Sequence, residues 1–142
     1  MNITRYTEAD SNQLESFKSV VWSAADKEHY IDSKPHFFKE EFTLLAKEND
    51  QIIGYGTILI DTGVAHLEPL MVATDRKGQG IGAGLLAALE EKAKSLGAHK
   101  IWLETGASWK AKAFYEKNGY IIRTILPNHN GNQDFVLMDK ML

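Results

Sequence analysis

Apolar residues along the chain change their period several times, and each change marks an element. Leu14, Phe17, Val20, Val21 and Ala24 recur at helical spacing, which predicts a helix over 8–26. Thr7 with Asp10 is a loose S/T-x-x-D/E start signal for it. A short strand is expected at 2–6 and a polar loop at 27–33. Pro35 suits the first turn of a second helix, 34–40. The aromatics around it, His29, Tyr30, His36, Phe37 and Phe38, fit either helix–sheet packing or a substrate-side wall. Residues 42–47 and 51–60 read as strands joined by a turn at Asn49-Asp50. Asp61-Thr62-Gly63 turns into a third strand, 64–72, which completes an antiparallel meander. Ile81, Leu85, Leu86, Leu89, Ala93 and Leu96 then share one helical face, and Gly97 is a natural stop. A strand at 99–104 follows. A strand–helix–strand unit of this size implies parallel pairing of 64–72 with 99–104. Ser108 is expected to cap a helix at 109–117, which Gly119 ends. Strands at 120–126 and 134–141, joined by a loop from Pro127 to Gly131, close the chain.

The stretch 64–86 departs most from plain patterning. Pro69 stands inside a strand that should be central, yet proline has no N–H for the ladder. A β-bulge resolves the conflict and lets 64–72 part from 99–104, leaving a cleft toward their C-terminal ends. Beyond the strand, glycines at 78, 80, 82 and 84 run into the helix. Glycine inside a helix costs about 1 kcal/mol against alanine, so these positions need a reason. Unpaired N–H groups of a first helical turn attract an anion, and glycines let a phosphate approach the backbone. Arg76 and Lys77 add positive charge, so 77–83 reads as a phosphate or pyrophosphate site. The competing reading is a tight turn that uses four convenient glycines.

Composition narrows the class. At 142 residues the chain is expected to form one domain, 1–142, large enough for a real core. A net charge of −3 without a basic stripe argues against nucleic acid as a partner. With no cysteine, a Cys-ligated metal, a disulfide and a cysteine nucleophile are excluded. The polar, acidic start MNITRYTEAD does not read as a signal peptide, and the longest apolar-rich run, 51–60, is too short to span a bilayer. A cytoplasmic location away from membranes is therefore expected, and no metal cofactor.

The order of elements, with LMVATDRKGQGIGAGLL in the middle, LETG at 103–106 and AKAFYEKNGY at 111–120, resembles the GCN5-related N-acetyltransferases over nearly the whole chain. The family's cofactor motif is Arg/Gln-x-x-Gly-x-Gly/Ala, and Lys77 to Gly82 matches it with lysine in the first position. The resemblance implies an α/β (α+β) acyl-CoA N-acyltransferase fold. Its mixed, mostly antiparallel sheet would have about seven strands, flanked by about four helices, with a bulged, splayed central strand. It also implies transfer of an acetyl group from acetyl-CoA, as cosubstrate, to a primary amine. Lys77, Gly78, Gln79, Gly80, Ile81, Gly82 and Ala83 would hold the pyrophosphate. The backbone of Met71 and Val72 would pair with the pantetheine arm. Ser108 stands where many relatives have a cofactor-contacting asparagine. Tyr115 occupies the position of the general acid that protonates the leaving thiolate, and a phenol is protonated at neutral pH.

For the general base, His66 and Glu68 share a face of a regular strand, and the family often keeps basic groups there. Glu68 lies closer to the expected bulge and is the first candidate, His66 the second; both could instead shape the substrate pocket. The lack of cysteine rules out an acetyl-cysteine intermediate and points to direct attack in a ternary complex. Two other readings stand beside this one. GQGIGA also fits the dinucleotide fingerprint G-x-G-x-x-G/A, with Glu104 about 20 residues on. A non-catalytic acetyl-CoA sensor would share the cofactor residues. The acceptor is a small-molecule or peptide amine of unidentified class. Acidic residues at 26, 28 and 32 are candidates to meet a cationic one. Many relatives dimerise, and 134–141 offers a pairing edge for a homodimer.

Overall fold

A computed structural model describes residues 1, 3–30 and 38–142. They fall into two compact units, divided between residues 36 and 37. In the first, a single 3-10 turn, Glu8–Asp10, leads into helix α1, Ser11–His29. The Asp10 carboxylate accepts from the Thr7 hydroxyl (2.8 Å) and the Thr7 N–H (2.9 Å). These bonds hold its carboxyl below the usual range. Of the strand expected at 2–6, residues 3–6 have no regular structure, and Asn2 lies outside the described residues. Lys27–His29, expected in a loop, extend α1. Of the helix expected at 34–40, residues 34–37 lie outside the described residues, and Lys39 and Glu40 instead open a strand. The reason is the period: exposure alternates residue by residue from Lys39 through Ala46.

The second unit contains strands β1 (Lys39–Glu48), β2 (Gln51–Asp61), β3 (Val64–Val72), β4 (Lys100–Gly106), β5 (Ile121–Leu126) and β6 (Phe135–Met141). Helix α2 (Ile81–Ser95) joins β3 to β4, and α3 (Lys110–Lys117) follows β4. Among the described residues there are thus six strands and three α-helices, one of each fewer than expected. The strand order is β1-β2-β3-β4-β6-β5. The meander is antiparallel, and β3 pairs with β4 in parallel. One parallel pair beside a meander is not a doubly wound dinucleotide fold, whose sheet is mostly parallel. β6 is paired on both sides, so the free edge expected for 134–141 belongs to β5.

The alternation of strand residues sorts the sheet into two faces. Ile58, Ile60, Ala65, Leu67, Ile101, Leu103, Val136 and Met138 pack with Leu86, Leu89 and Ala93 of α2 in one core. Gly54 and Gly56 let α2 lie close to β2. A Cβ on Gly56 would stand 2.6 Å from Leu89 Cδ1, and one on Gly54 3.0 Å from the Met71 carbonyl oxygen. The other face carries His66 and Trp102, with Asp139 across from Trp102 in register. Asp139 is buried, which works against its charge. Lys100 at 2.8 Å and Arg123 at 2.6 Å nonetheless hold its carboxyl below the ordinary range.

The bulge expected at Pro69 is present. Gly56 pairs with Leu70 and Ile58 with Leu67, which leaves Glu68 and Pro69 opposite Thr57 alone. On the other side of β3, pairing with β4 covers only Val64–His66 against Lys100–Trp102. Beyond that rung the two strands part.

Candidate active site

On the α2 side, the parting strands open into a cleft of about 690 Å³. Leu70, Met71 and Val72 of β3 form one wall. Gly78 and Gly80, in the turn before α2, have φ of 80° and 82°, conformations that favour glycine. Nothing lies within 4 Å of where their Cβ atoms would be, so their backbone is open to the cleft. Gly80 is the N-cap of α2, which aims the unpaired N–H groups of the first turn at the same space. Ile81, Gly82 and Ala83 line it as well.

Lys77 and Arg76 both border the cleft, with different freedom. The Arg76 guanidinium is tied to Glu48 at 2.7 Å, whereas Lys77 has no ion pair among the described residues. Gln79 and Ser108 are not among the lining residues. Ser108 does not cap α3 either: Trp109 is the N-cap, and the helix starts at Lys110. The opposite wall holds residues that sequence reasoning missed. Lys110, Phe114 and Lys117 face the cleft from α3. Their i, i+4, i+7 spacing is a helix face, and that was the available signal. Among the described residues, Lys110 and Lys117 also lack an ion pair and no acidic residue lines the cleft. In a chain of net charge −3, this is a local basic surface suited to a polyanion.

Tyr115 lines the cleft from the same helix and is only 8% exposed. Phe114 and Tyr120 meet its ring edge-on at 5.1 and 5.6 Å. Burial pushes its hydroxyl up to about 12, so it keeps its proton throughout the neutral range.

On the opposite face of the sheet, the last rung before the split carries His66 beside Trp102. The two rings stack at 3.8 Å with planes 5° apart. His66 Nδ1 lies 2.8 Å from Glu68 Oε1, so both residues share this face despite the bulge. Burial lowers the His66 pKa, against the opposing pull of Glu68 and Glu104. Burial thus favours the neutral imidazole, and Nδ1 is the ring nitrogen turned to the Glu68 carboxylate. Glu104 stands two residues beyond Trp102 on β4, and His129 Nε2 lies 3.2 Å from its Oε2. This second carboxylate–imidazole pair escaped the sequence reading because its members lie 25 residues apart.

The α/β domain thus has a sheet split between parallel strands, with a basic cleft on one side and a carboxylate on the other. The family model described as "Acetyltransferase (GNAT) family" matches residues 8–120, and the chain belongs to that family. Over 102 residues it is 29% identical to "IAA acetyltransferase" of Azospirillum brasilense, covering 70% of this chain and 67% of the relative. A crystal structure of an acetyltransferase from Bacillus cereus superposes with a TM-score of 0.78 at 23% identity, over 100% of this chain and 98% of that one. A GNAT family acetyltransferase from Elizabethkingia anophelis, solved with acetyl-CoA bound, is 30% identical with a TM-score of 0.65, covering 70% of this chain and 75% of that one.

Proposed function

We propose that this protein transfers the acetyl group of acetyl-coenzyme A to a primary amine by direct attack in a ternary complex. The observation that carries the reading is the split between β3 and β4 beyond His66 and Trp102. It separates a basic cleft with a protonated tyrosine on one face from a carboxylate in contact with an imidazole on the other.

The cleft fits the donor on this chain's own features. Coenzyme A carries several phosphate charges; the cleft, about 690 Å³, is lined by Arg76, Lys77, Lys110 and Lys117 and by no acidic residue among those described. The N–H groups of 78–83, with Lys77, would hold the pyrophosphate. Where β4 departs, Met71 and Val72 would pair with the amides of the pantetheine arm. When bound, acetyl-coenzyme A supplies an activated thioester carbonyl and a thiol leaving group. Glu68 takes a proton from the amine nitrogen, whose lone pair then attacks the carbonyl. Tyr115 Oη–H donates a proton to the departing sulfur. Starting from an ammonium, nitrogen loses two protons: one passes through Glu68 to solvent, and the other, lost after attack, restores the Tyr115 hydroxyl.

The first test is thermal stability with added ligand. Acetyl-coenzyme A at about 100 times its dissociation constant should stabilise the fold by roughly 2.7 kcal/mol, a shift of several degrees. NAD at the same concentration should give none. A shift with NAD alone would overturn the cofactor assignment. Binding of acetyl-coenzyme A without acetylation of any amine would favour a sensor.

The second test is Glu68→Gln. The amide still accepts the His66 N–H but cannot take a proton. The expected result is a fall in kcat of about 10–100-fold with a changed pH–rate profile and unchanged acetyl-coenzyme A affinity. A wild-type profile in this variant would remove Glu68 from the role.

A further inference from the structure

We infer that Trp102 is a positioning residue, whose indole holds the His66 ring flat and so fixes the N–H that His66 donates to Glu68. The inference rests on the acetyl-transfer reading above and adds a residue to it.

A histidine on a strand has a broad, roughly two-fold freedom about its outer torsion, so position alone does not aim its ring. Here two contacts remove that freedom. The parallel rung sets His66 beside Trp102, and the indole face takes the imidazole at 3.8 Å and 5°. Stacking fixes the plane of the ring but is indifferent to a half-turn within that plane. The 2.8 Å contact with Glu68 Oε1 selects the half-turn that presents Nδ1. Without the indole, the ring could leave the plane in which its N–H meets the carboxylate.

The charge state suits the role. A neutral donor orients Glu68 and leaves its negative charge intact. An imidazolium at the same distance would stabilise the carboxylate and make it a poorer base. Burial against the indole works in that direction, and the surrounding charges oppose it. On this face they are Glu68 on β3 and Glu104 on β4, the latter with His129 beside it. Lys100 and Arg123 are both engaged by Asp139. A hollow of about 440 Å³ next to His66 and Trp102 is bordered by Glu40, Glu41, Asp61 and Lys39, of which the last two pair at 3.0 Å.

The experiment is a double-mutant cycle, run with whichever of spermidine, kanamycin, tryptamine or an alanine-initiated tripeptide the wild type acetylates fastest. His66→Phe keeps a ring on the indole and removes the donor. Trp102→Leu removes the stack, and Trp102→Phe retains an aromatic face. Each of His66→Phe and Trp102→Leu should lower kcat about 10-fold, with KM for both substrates within about twofold. Trp102→Phe should stay within about threefold of wild type. The double variant His66→Phe/Trp102→Leu should be no slower than His66→Phe alone, because the indole then has no N–H to aim. Additive losses, a loss confined to KM, or no rescue by Trp102→Phe would overturn the role. A second readout needs no substrate. Protonating His66 should quench the stacked indole as pH falls, a step expected in wild type and absent from His66→Phe and Trp102→Phe. Its absence from wild type would overturn the stack itself. If wild type acetylates no amine in the set, the acetyl-transfer reading falls, and the role of Trp102 with it. A failed cycle in an active enzyme overturns the role alone.

Discussion

If Tyr115 is the proposed general acid, Tyr115→Phe should lower kcat about 1,000-fold, equivalent to about 4 kcal/mol of barrier. Acetyl-coenzyme A binding should change by less than about threefold. The asymmetry follows from where the side chain sits. Its ring is packed between Phe114 and Tyr120, so phenylalanine keeps the packing and loses only the hydroxyl. That hydroxyl has nothing to offer the ground-state thioester that the cleft's amides and lysines do not already supply. On the proposed mechanism it would act only when negative charge develops on sulfur. The pH dependence carries a sign. Because burial raises the hydroxyl to about 12, the acid form persists well above pH 9, and Tyr115 should impose no alkaline decline on the wild-type rate below that. The variant should therefore be slow at every pH, with no recovery in acid. Thiol release measured across pH 6–10, together with ligand-induced thermal shifts, checks both parts. An equal loss of kcat and affinity would mean that the phenol serves binding instead.

The second large effect concerns the contact that seats α2 on the sheet. Leu89→Ala should cost about 3–4 kcal/mol, since Leu89 is fully buried and its removal leaves a cavity. For a domain of this size, the melting temperature should fall by roughly 10 °C. Gly56→Ala should also destabilise, by about 1–3 kcal/mol, because its Cβ would stand 2.6 Å from Leu89 Cδ1 and 2.9 Å from Leu70 Cδ1. Together the two changes should cost at least about 1 kcal/mol less than their sum, because the new methyl enters space the leucine has vacated. Urea or thermal unfolding of the four proteins measures this. Additivity within about 0.5 kcal/mol would show that the two side chains do not compete for one space.

Much of this protein is written in short stretches of sequence. The alternation from Lys39 and the helical face from Ile81 to Leu96 identify most elements without any partner, because each period is a property of neighbouring residues. Pro69 announces the bulge, since a missing N–H cannot be hidden in a central strand. The glycines at 78 and 80 announce a left-handed turn for the same kind of local reason. Tyr115 stands out only through its flanking motif; its helix alone gives no sign of its chemistry.

Where reasoning from sequence failed, the deciding interaction lay elsewhere in the chain. Residues 3–6 have a strand-like composition but form no regular structure, because a strand needs a partner as well as a composition. Ser108 is a good capping residue, yet α3 begins one position later. The indole of Trp109 lies over Gly106, where a Cβ would overlap it, and Trp109 takes the cap position. Lys110 and Lys117 become part of the cleft only because α3 turns that face toward the glycine loop.

The sequence by itself determined most elements, the bulge and the left-handed glycine turn, because each depends on backbone chemistry within a few residues. Only the tertiary structure decided what stands across from what. The stack of His66 on Trp102 follows from the register of a parallel pair closed by a helical crossover. The approach of His129 to Glu104 follows from a loop between two later strands. Neither register nor loop placement leaves a periodic trace along the chain. Both are set by how the whole sheet buries its apolar face, a long-range balance in which no single residue carries the signal.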